Sequence, residues 1–251
     1  MKKILIHQGK IALVEGSLPD AFGEEVTPYR FEIDGMECLA LDPGEFSVEY
    51  EWVGLRESYH QLGDDGWRMA VKGAELLNFD RDFRFCRKCG SKLRQSGPIS
   101  KICNDCGEEY FAPMNAAVMV LVTDQRDRAL LVRARTFKGR FHGLVAGFVE
   151  TGESLEECVV REVKEETNLD ITDLSYVASQ SWPFPSQLMI GFTARLAPDS
   201  APLRFNDGEL TEGGFFSRED LPEIAAKPSL GRRLIETWIN QGAKFRDSYN
   251  K

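Results

Sequence analysis

Four of the six cysteines lie in two short pairs, and this arrangement restricts the fold more than any other feature of the chain. Cys86 and Cys89 form one Cys-x-x-Cys pair, and Cys103 and Cys106 form a second pair after a gap of thirteen residues. Two such pairs present four thiolates on two tight turns, the geometry that tetrahedral zinc requires. Because protein fills all four positions, we expect a structural zinc ribbon over residues 86–112, folded by a metal contribution of about 10 kcal/mol.

The balance of charge favours zinc over two alternatives for these cysteines, a redox dithiol and a nucleic-acid knuckle. The 251-residue chain has a formal net charge of -9, which repels a phosphate backbone away from any local basic patch. Neither alternative needs four paired cysteines in an acidic protein. The remaining cysteines, Cys38 and Cys158, stand alone, and no apolar run is long enough to cross a bilayer. We therefore expect a soluble, cytoplasmic protein.

The first third of the chain, residues 1–85, is predicted to form a small α+β domain. Three short strand-like runs are broken by Gly, Pro and Asp, at 3–7, 11–14 and 38–41. A helix is expected from Trp67 to Phe79. Nothing in this part has a recognisable chemistry, and its role is left open.

The sequence changes after the ribbon, and residues 113–251 are predicted to form the catalytic domain. Two long apolar strands are expected at 116–122 and 129–134. Strands then alternate with two helices, near 154–167 and 230–240.

The segment from Gly147 to Leu169 is rich in glutamate and predicts the function. Ser154 and Glu157 form a capping box, which determines where the helix begins. In that register Glu162 and Glu166 lie one turn apart on the apolar face of the helix. Uncompensated burial of either carboxylate would cost several kcal/mol, so a cation is needed there. A hard divalent cation with oxygen ligands meets this need.

A solvated acidic helix is the alternative interpretation of this segment. The helical wheel places Glu157, Arg161 and Lys164 on the opposite side, where Glu157 and Arg161 would form a pair four residues apart. The acidic residues are therefore segregated by face, which favours a metal site over a uniformly charged helix.

The segment resembles the Nudix hydrolases, whose motif reads G-x5-E-x7-R-E-U-x-E-E-x-G-U, with U an apolar residue. The matching positions are Gly147, Glu153, Arg161, Glu162, Val163, Glu165, Glu166 and Leu169. Asn168 replaces the last glycine, and asparagine also tolerates the left-handed conformation of a helix end. The resemblance implies a Nudix fold for this domain, a mixed β-sheet between helices, and therefore an α+β chain with an α-β-α catalytic domain.

By resemblance, Glu162, Glu166 and the carbonyl oxygen of Ala146 would bind magnesium or manganese. Glu153 and Glu165 would assist with water or metal, and Arg161 would brace the loop. A later glutamate completes the metal site in the family. Glu212 is our match for it, with Glu209 as the nearby alternative.

Residues 179–189 resemble the SQPWPFPxS motif of the NADH pyrophosphatase branch of this family. Prolines flank Trp182 and Phe184, and rigid aromatic faces suit stacking on a flat base. The alternative for these two rings is an anchor in a core or an interface. The substrate contacts implied by the resemblance are Phe111, Phe148, Gln180, Trp182, Phe184, Ser186, Gln187 and Gly231. Three departures, at Ser181, Gln187 and Ala112, leave the substrate preference open.

The implied activity is metal-dependent hydrolysis of NADH or NAD to nicotinamide mononucleotide and AMP. Removal of an NAD cap from RNA, or cleavage of another nucleoside diphosphate such as ADP-ribose, would use the same chemistry. A ligand sensor with a relic site is the alternative from a different class, and the intact motif argues against it. The resemblance also implies a homodimer, and the shortness of the apolar runs leads us to expect no membrane partner.

Overall fold

The computed structural model describes residues 1–20, 29–137, 139–206 and 208–241. The chain forms two compact units. The first comprises Met1–Met114 and Trp182–Ser186, and the second comprises Asn115–Ser181 and Gln187–Lys251. Among the described helices, none is long and apolar enough to cross a membrane.

The first unit begins with a five-stranded sheet covered by one long helix. The strands are β1 (Lys2–His7), β2 (Lys10–Leu13), β3 (Tyr29–Ile33), β4 (Met36–Leu41) and β5 (Glu51–Gly54), in the order β3-β4-β1-β2-β5. Helix α1 (Tyr59–Asp82) is longer than predicted and departs from helical geometry at Gly63. It packs closely on β1, because a Cβ at Gly73 would lie 2.7 Å from Ile4. The predicted α+β character of this part is confirmed.

The cysteine-rich segment forms a small three-stranded antiparallel sheet attached to the end of α1. Its strands are β6 (Leu93–Gly97), β7 (Ser100–Cys103) and β8 (Glu109–Phe111). Lys101 is buried, pairs with Asp80 at 2.7 Å, and donates hydrogen bonds to the carbonyl oxygens of Asp80 and Phe83. These bonds satisfy carbonyl groups at the end of α1 and hold the segment there.

The second unit is a mixed sheet between two helices, as the resemblance implied. Its elements are β9 (Asn115–Thr123), β10 (Ala129–Ala134), β11 (Val145–Phe148), α2 (Leu155–Thr167), β12 (Ile171–Trp182), β13 (Gln187–Leu196), β14 (Leu210–Phe216) and α3 (Leu230–Gln241). The sheet order is β12-β13-β9-β10-β14, with β11 paired to β9. Strand β13 is parallel to β9, whereas β10 and β11 are antiparallel to it.

The two faces of this sheet bury alternate residues of the same strands. In β10, Leu130 and Val132 pack in the cluster that contains the α2 residues Val159 and Val163. Leu131 instead packs in the cluster that contains α3. Because neighbouring residues of a strand point to opposite faces, this alternation places α2 and α3 on opposite sides and confirms the α-β-α arrangement.

Candidate active site

Helix α2 has the start and the end that its sequence predicted. The Ser154 hydroxyl accepts a hydrogen bond from the Glu157 backbone N–H at 3.2 Å, and the Glu157 carboxylate accepts one from the Ser154 N–H at 2.8 Å. Asn168 ends the helix in the left-handed region, with φ of 63°. The side-chain register of α2 is therefore well determined.

Of the two carboxylates on the inner face of α2, Glu166 is buried and Glu162 is mostly buried. Glu166 is 5% exposed, and the Glu162 side chain is 13% exposed. Burial raises the pKa of Glu162, an effect opposed by Arg161 and reinforced by the negative charges of Glu165 and Glu209. These two neighbouring carboxylates, with the negative charge of Glu209 acting on Glu162, form a donor set that fits a divalent cation.

Arg161 does not lie on the solvent side of α2, and the prediction of a Glu157–Arg161 pair is wrong. Its guanidinium instead donates to Glu153, to Glu162 at 2.9 Å and to Glu165 at 3.0 Å. Glu157 is occupied by the capping box. A helical wheel shows only where the Cα atom of Arg161 lies. The long side chain extends back past the start of the helix, to residues of the preceding loop. Lys164 is exposed as expected and pairs with Asp170.

Arg161 holds the loop before α2 as well as the helix. One amino group of its guanidinium donates to the carbonyl oxygen of Phe148 at 3.0 Å and to Glu153 at 3.0 Å. Glu153 also accepts a hydrogen bond from the Glu150 backbone N–H. The Arg161 hydrogen bond is the main reason that the pKa of Glu153 falls to about 2. Glu153 is therefore an anion that ties the loop to the helix.

Gly147 lets the Glu162 carboxylate lie directly against strand β11. A Cβ atom at this position would overlap the Glu162 carboxyl group. Gly147 pairs with Val118 in the sheet, so the backbone cannot retreat without breaking strand pairing. Ala146, the predicted carbonyl ligand, precedes it in the same strand.

We expect Gly147→Ala to lower kcat at least a hundredfold and to destabilise the fold by about 1–3 kcal/mol, because the methyl group must displace Glu162. Gly214→Ala is the matched control, since a Cβ there meets only Phe216 at an ordinary 3.9 Å. Steady-state kinetics and thermal unfolding of both variants provide the check. Equal activity in the two variants would contradict the close contact between the Gly147 backbone and the Glu162 carboxylate.

Glu212 lies on the face of the sheet opposite to α2. It pairs with Arg133 across β10 and β14, and their side chains meet at 3.1 Å. Directly opposite residues share a face, which here is also the face of Leu131 and the α3 cluster. A β-bulge between Arg133 and Ala134 changes the register just beyond this pair. Glu209, whose charge acts on Glu162, is thus the better placed of the two candidates.

Trp182 and Phe184 are half-buried in the first unit. They pack against its core cluster, edge to face with ring centroids 5.1 Å apart. The Arg56 guanidinium lies over both rings, at 5.1 Å from Trp182 and 4.8 Å from Phe184. No local pattern pointed to Arg56, because the contact joins positions far apart in the chain. The rings therefore anchor this segment in the core of the first unit and carry a cation over their faces.

The other predicted substrate residues have varied surroundings. Phe111 is 60% exposed and Phe148 is 53% exposed, as stacking on a ligand would require. Gln180 donates to the carbonyl oxygen of Pro228, and Ser186 donates to that of Pro113. The remaining two lie at element starts, Gln187 in β13 and Gly231 in α3.

The four paired cysteines come together as predicted. Their sulfur atoms lie within 4.8 Å of one another, a separation that fits four ligands around one zinc ion. The Tyr110 hydroxyl lies 3.3 Å from the Cys86 sulfur, and this hydrogen bond lowers the pKa of the Cys86 thiol to about 6. A thiolate is the form that binds metal.

Comparison with known proteins agrees with these features. The NUDIX domain model matches residues 113–237. A protein of Citrobacter koseri named NAD-capped RNA hydrolase NudC is 34% identical over 246 residues, 94% of this chain and 92% of that protein. A Salmonella heidelberg protein of the same name is 33% identical over the same shares. A NUDIX hydrolase structure from Nitrosomonas europaea, 23% identical, covers 65% of this chain and 94% of its own with a TM-score of 0.52, and so supports the fold. The chain therefore belongs to the Nudix hydrolase family.

Proposed function

We propose that this chain hydrolyses the diphosphate of NADH and NAD, giving nicotinamide mononucleotide and AMP. The observation that supports this most is the pair of carboxylates on the inner face of α2, in which Glu166 is buried and the mostly buried Glu162 lies against the Gly147 backbone, within the field of Glu209. Removal of an NAD cap from RNA is the second candidate. It is favoured by the name of the relatives from Citrobacter koseri and Salmonella heidelberg, and it cuts the same bond.

The residues fit magnesium or manganese in the catalytic site. We assign the ligands to Glu162, Glu166, the carbonyl oxygen of Ala146 and Glu209, which replaces Glu212. When bound, such cations neutralise the diphosphate and lower the pKa of a water molecule.

The chain's own groups support this chemistry by position. The Arg161 guanidinium donates a hydrogen bond to Glu162 and offsets the negative charge of that carboxylate. It also ties the loop before α2 to the helix, through the Phe148 carbonyl oxygen and Glu153. Glu165 is 57% exposed, so its carboxylate can reach a water molecule at the rim of the site. Catalysis here depends mainly on alignment and charge compensation, which rigid ligands provide.

Glu209→Gln is expected to lower kcat by at least a hundredfold, whereas Glu212→Gln should change it by less than threefold. The two positions are three residues apart and the substitutions are identical, so each variant is the control for the other. Magnesium titration of activity would show a weaker apparent metal affinity for Glu209→Gln alone. The reverse ranking would restore Glu212 as the ligand.

The remaining assignments follow from the sequence and the resemblance. We propose a zinc ribbon over residues 86–112 between an α+β domain (1–85) and the catalytic domain (113–251). Zinc is supported by the spacing of the four sulfur atoms, and a cytoplasmic location by six cysteines without disulfides. The homodimer rests on the resemblance, and light scattering of the purified protein would test it.

Mass spectrometry of the reaction products is the direct test of the activity. NADH, NAD, ADP-ribose, diadenosine diphosphate and NAD-capped RNA would be offered separately with magnesium or manganese. We expect nicotinamide mononucleotide from NADH and NAD, with AMP from the free dinucleotides. Turnover of ADP-ribose alone would contradict the proposed substrate, and turnover of none would contradict hydrolysis.

A further inference from the structure

We propose that the loop between β10 and β11 binds the phosphodiester backbone of single-stranded RNA joined to the substrate diphosphate. We use the term basic loop for residues 133–137 and 139–142, of which the first two are the end of β10. The inference deepens the second candidate of the proposed function, removal of an NAD cap, and rests on it. It adds a site for the nucleotides that follow the cap.

The charge of the basic loop is opposite to that of the whole chain. Its described residues include three arginines, Arg133, Arg135 and Arg140, and no Asp or Glu, in a chain of net charge -9. Lys138 lies outside the described residues and has no part in the proposal. Elsewhere the negative charge repels RNA, so a local cationic surface has to supply the attraction.

Two of these cations are available to a ligand. Glu212 neutralises Arg133, but Arg135 and Arg140 are exposed, and no carboxylate in the described part of the chain pairs with either. Exposed guanidinium groups bind phosphate oxygens strongly, often through two parallel hydrogen bonds.

Two aromatic residues of the basic loop are close to these cations in sequence, Phe137 between them and Phe141 directly after Arg140. The Phe137 and Phe141 rings are stacked, with centroids 4.6 Å apart and planes inclined by 19°. The Arg133 guanidinium donates to the Gly139 carbonyl oxygen at 3.1 Å, which holds the loop closed on itself. Cations interleaved with aromatic rings are the composition that binds single-stranded nucleic acid, through phosphates and stacked bases together.

The basic loop starts beside the proposed catalytic carboxylates. The Arg135 backbone N–H donates to the Glu209 carbonyl oxygen at 2.7 Å, and the charge of Glu209 acts on Glu162. An RNA chain joined to a diphosphate held at Glu162 would therefore begin close to Arg135. A cationic surface far from the catalytic carboxylates could not bind the first nucleotides of an RNA that is cleaved at its 5′ end.

The test compares Arg135→Gln/Arg140→Gln with Arg195→Gln, an exposed arginine that pairs with Thr123 at the other end of the sheet. One arm measures binding of a 5′-phosphorylated single-stranded RNA without divalent cations, by fluorescence anisotropy over a salt series. We expect about a tenfold weaker Kd and a log–log salt slope shallower by roughly 1.4 for the double variant only. This arm does not require the proposed activity.

The other arm measures hydrolysis of NAD-capped RNA and of NADH by the same proteins. We expect the KM for capped RNA to rise about tenfold in the double variant, with kcat/KM for NADH within twofold of the parent. Equal losses on both substrates would show that the arginines hold the diphosphate itself, and would overturn the proposal. So would unchanged RNA affinity, or no RNA binding by the parent chain. A different result would be that capped RNA is not hydrolysed while RNA binding is still lost only in the double variant. That result would overturn the cap-removal candidate and not the RNA site.

Discussion

Glu166→Gln is expected to lower kcat for NADH by about a thousandfold, a loss on the order of 4 kcal/mol of transition-state stabilisation. Glutamine has nearly the same shape but loses the negative charge that a divalent cation needs as a ligand. Glu166 is buried on the inner face of α2, so water cannot replace the missing carboxylate oxygen easily. The fold should be retained, because a buried charge is removed without a change in volume.

The matched control for this prediction is Glu156→Gln in the first turn of the same helix. Glu156 is exposed, so the same chemical change there should leave kcat within twofold of the parent. Added magnesium should raise the Tm of the parent and of Glu156→Gln, but that of Glu166→Gln much less. Full activity of Glu166→Gln, or its failure to fold without metal, would refute the assigned role.

Cys103→Ser is expected to cost several kcal/mol of stability, because a structural zinc site contributes on the order of 10 kcal/mol to folding. Cys103 is 3% exposed, and its sulfur lies 3.4 Å from that of Cys89. Serine cannot supply a thiolate, so the ribbon would lose its metal and the small sheet β6-β7-β8 has no core of its own to replace it. Elemental analysis should find about one zinc per parent chain and none in the variant.

Cys38→Ser is the control for zinc content. Cys38 is also buried, but its thiol donates to the Met36 carbonyl oxygen and lies outside the four-cysteine cluster. We expect it to keep the zinc while losing some stability from a buried hydroxyl. Zinc retained by Cys103→Ser, or lost equally by both variants, would contradict a four-cysteine site.

Local patterns predicted the elements around the site well. The capping box at Ser154 and the left-handed Asn168 determined α2 to within one residue, and the strand at 129–134 has the expected bounds. These features depend on neighbours in sequence, which a single chain displays. The inner position of Glu162 and Glu166 followed from helical periodicity for the same reason.

The errors concern side chains and registers that depend on distant residues. Arg161 was assigned to solvent because a wheel shows only where a side chain leaves the helix, and not that Glu153 lies within its reach. Spacing also cannot decide between Glu212 and Glu209, because it does not reveal the change of register beside Arg133. Arg56 was missed because its aromatic partners lie more than a hundred residues away.

The short segment Trp182–Ser186 belongs to the first unit although both of its neighbours along the chain belong to the second. The polypeptide therefore passes between the units three times, at 114–115, 181–182 and 186–187. If only the N-terminal part were exchanged for that of another protein, Trp182 and Phe184 would lose the apolar residues against which they pack. A stable exchange of the N-terminal part is therefore expected to require that Trp182–Ser186 be exchanged with it.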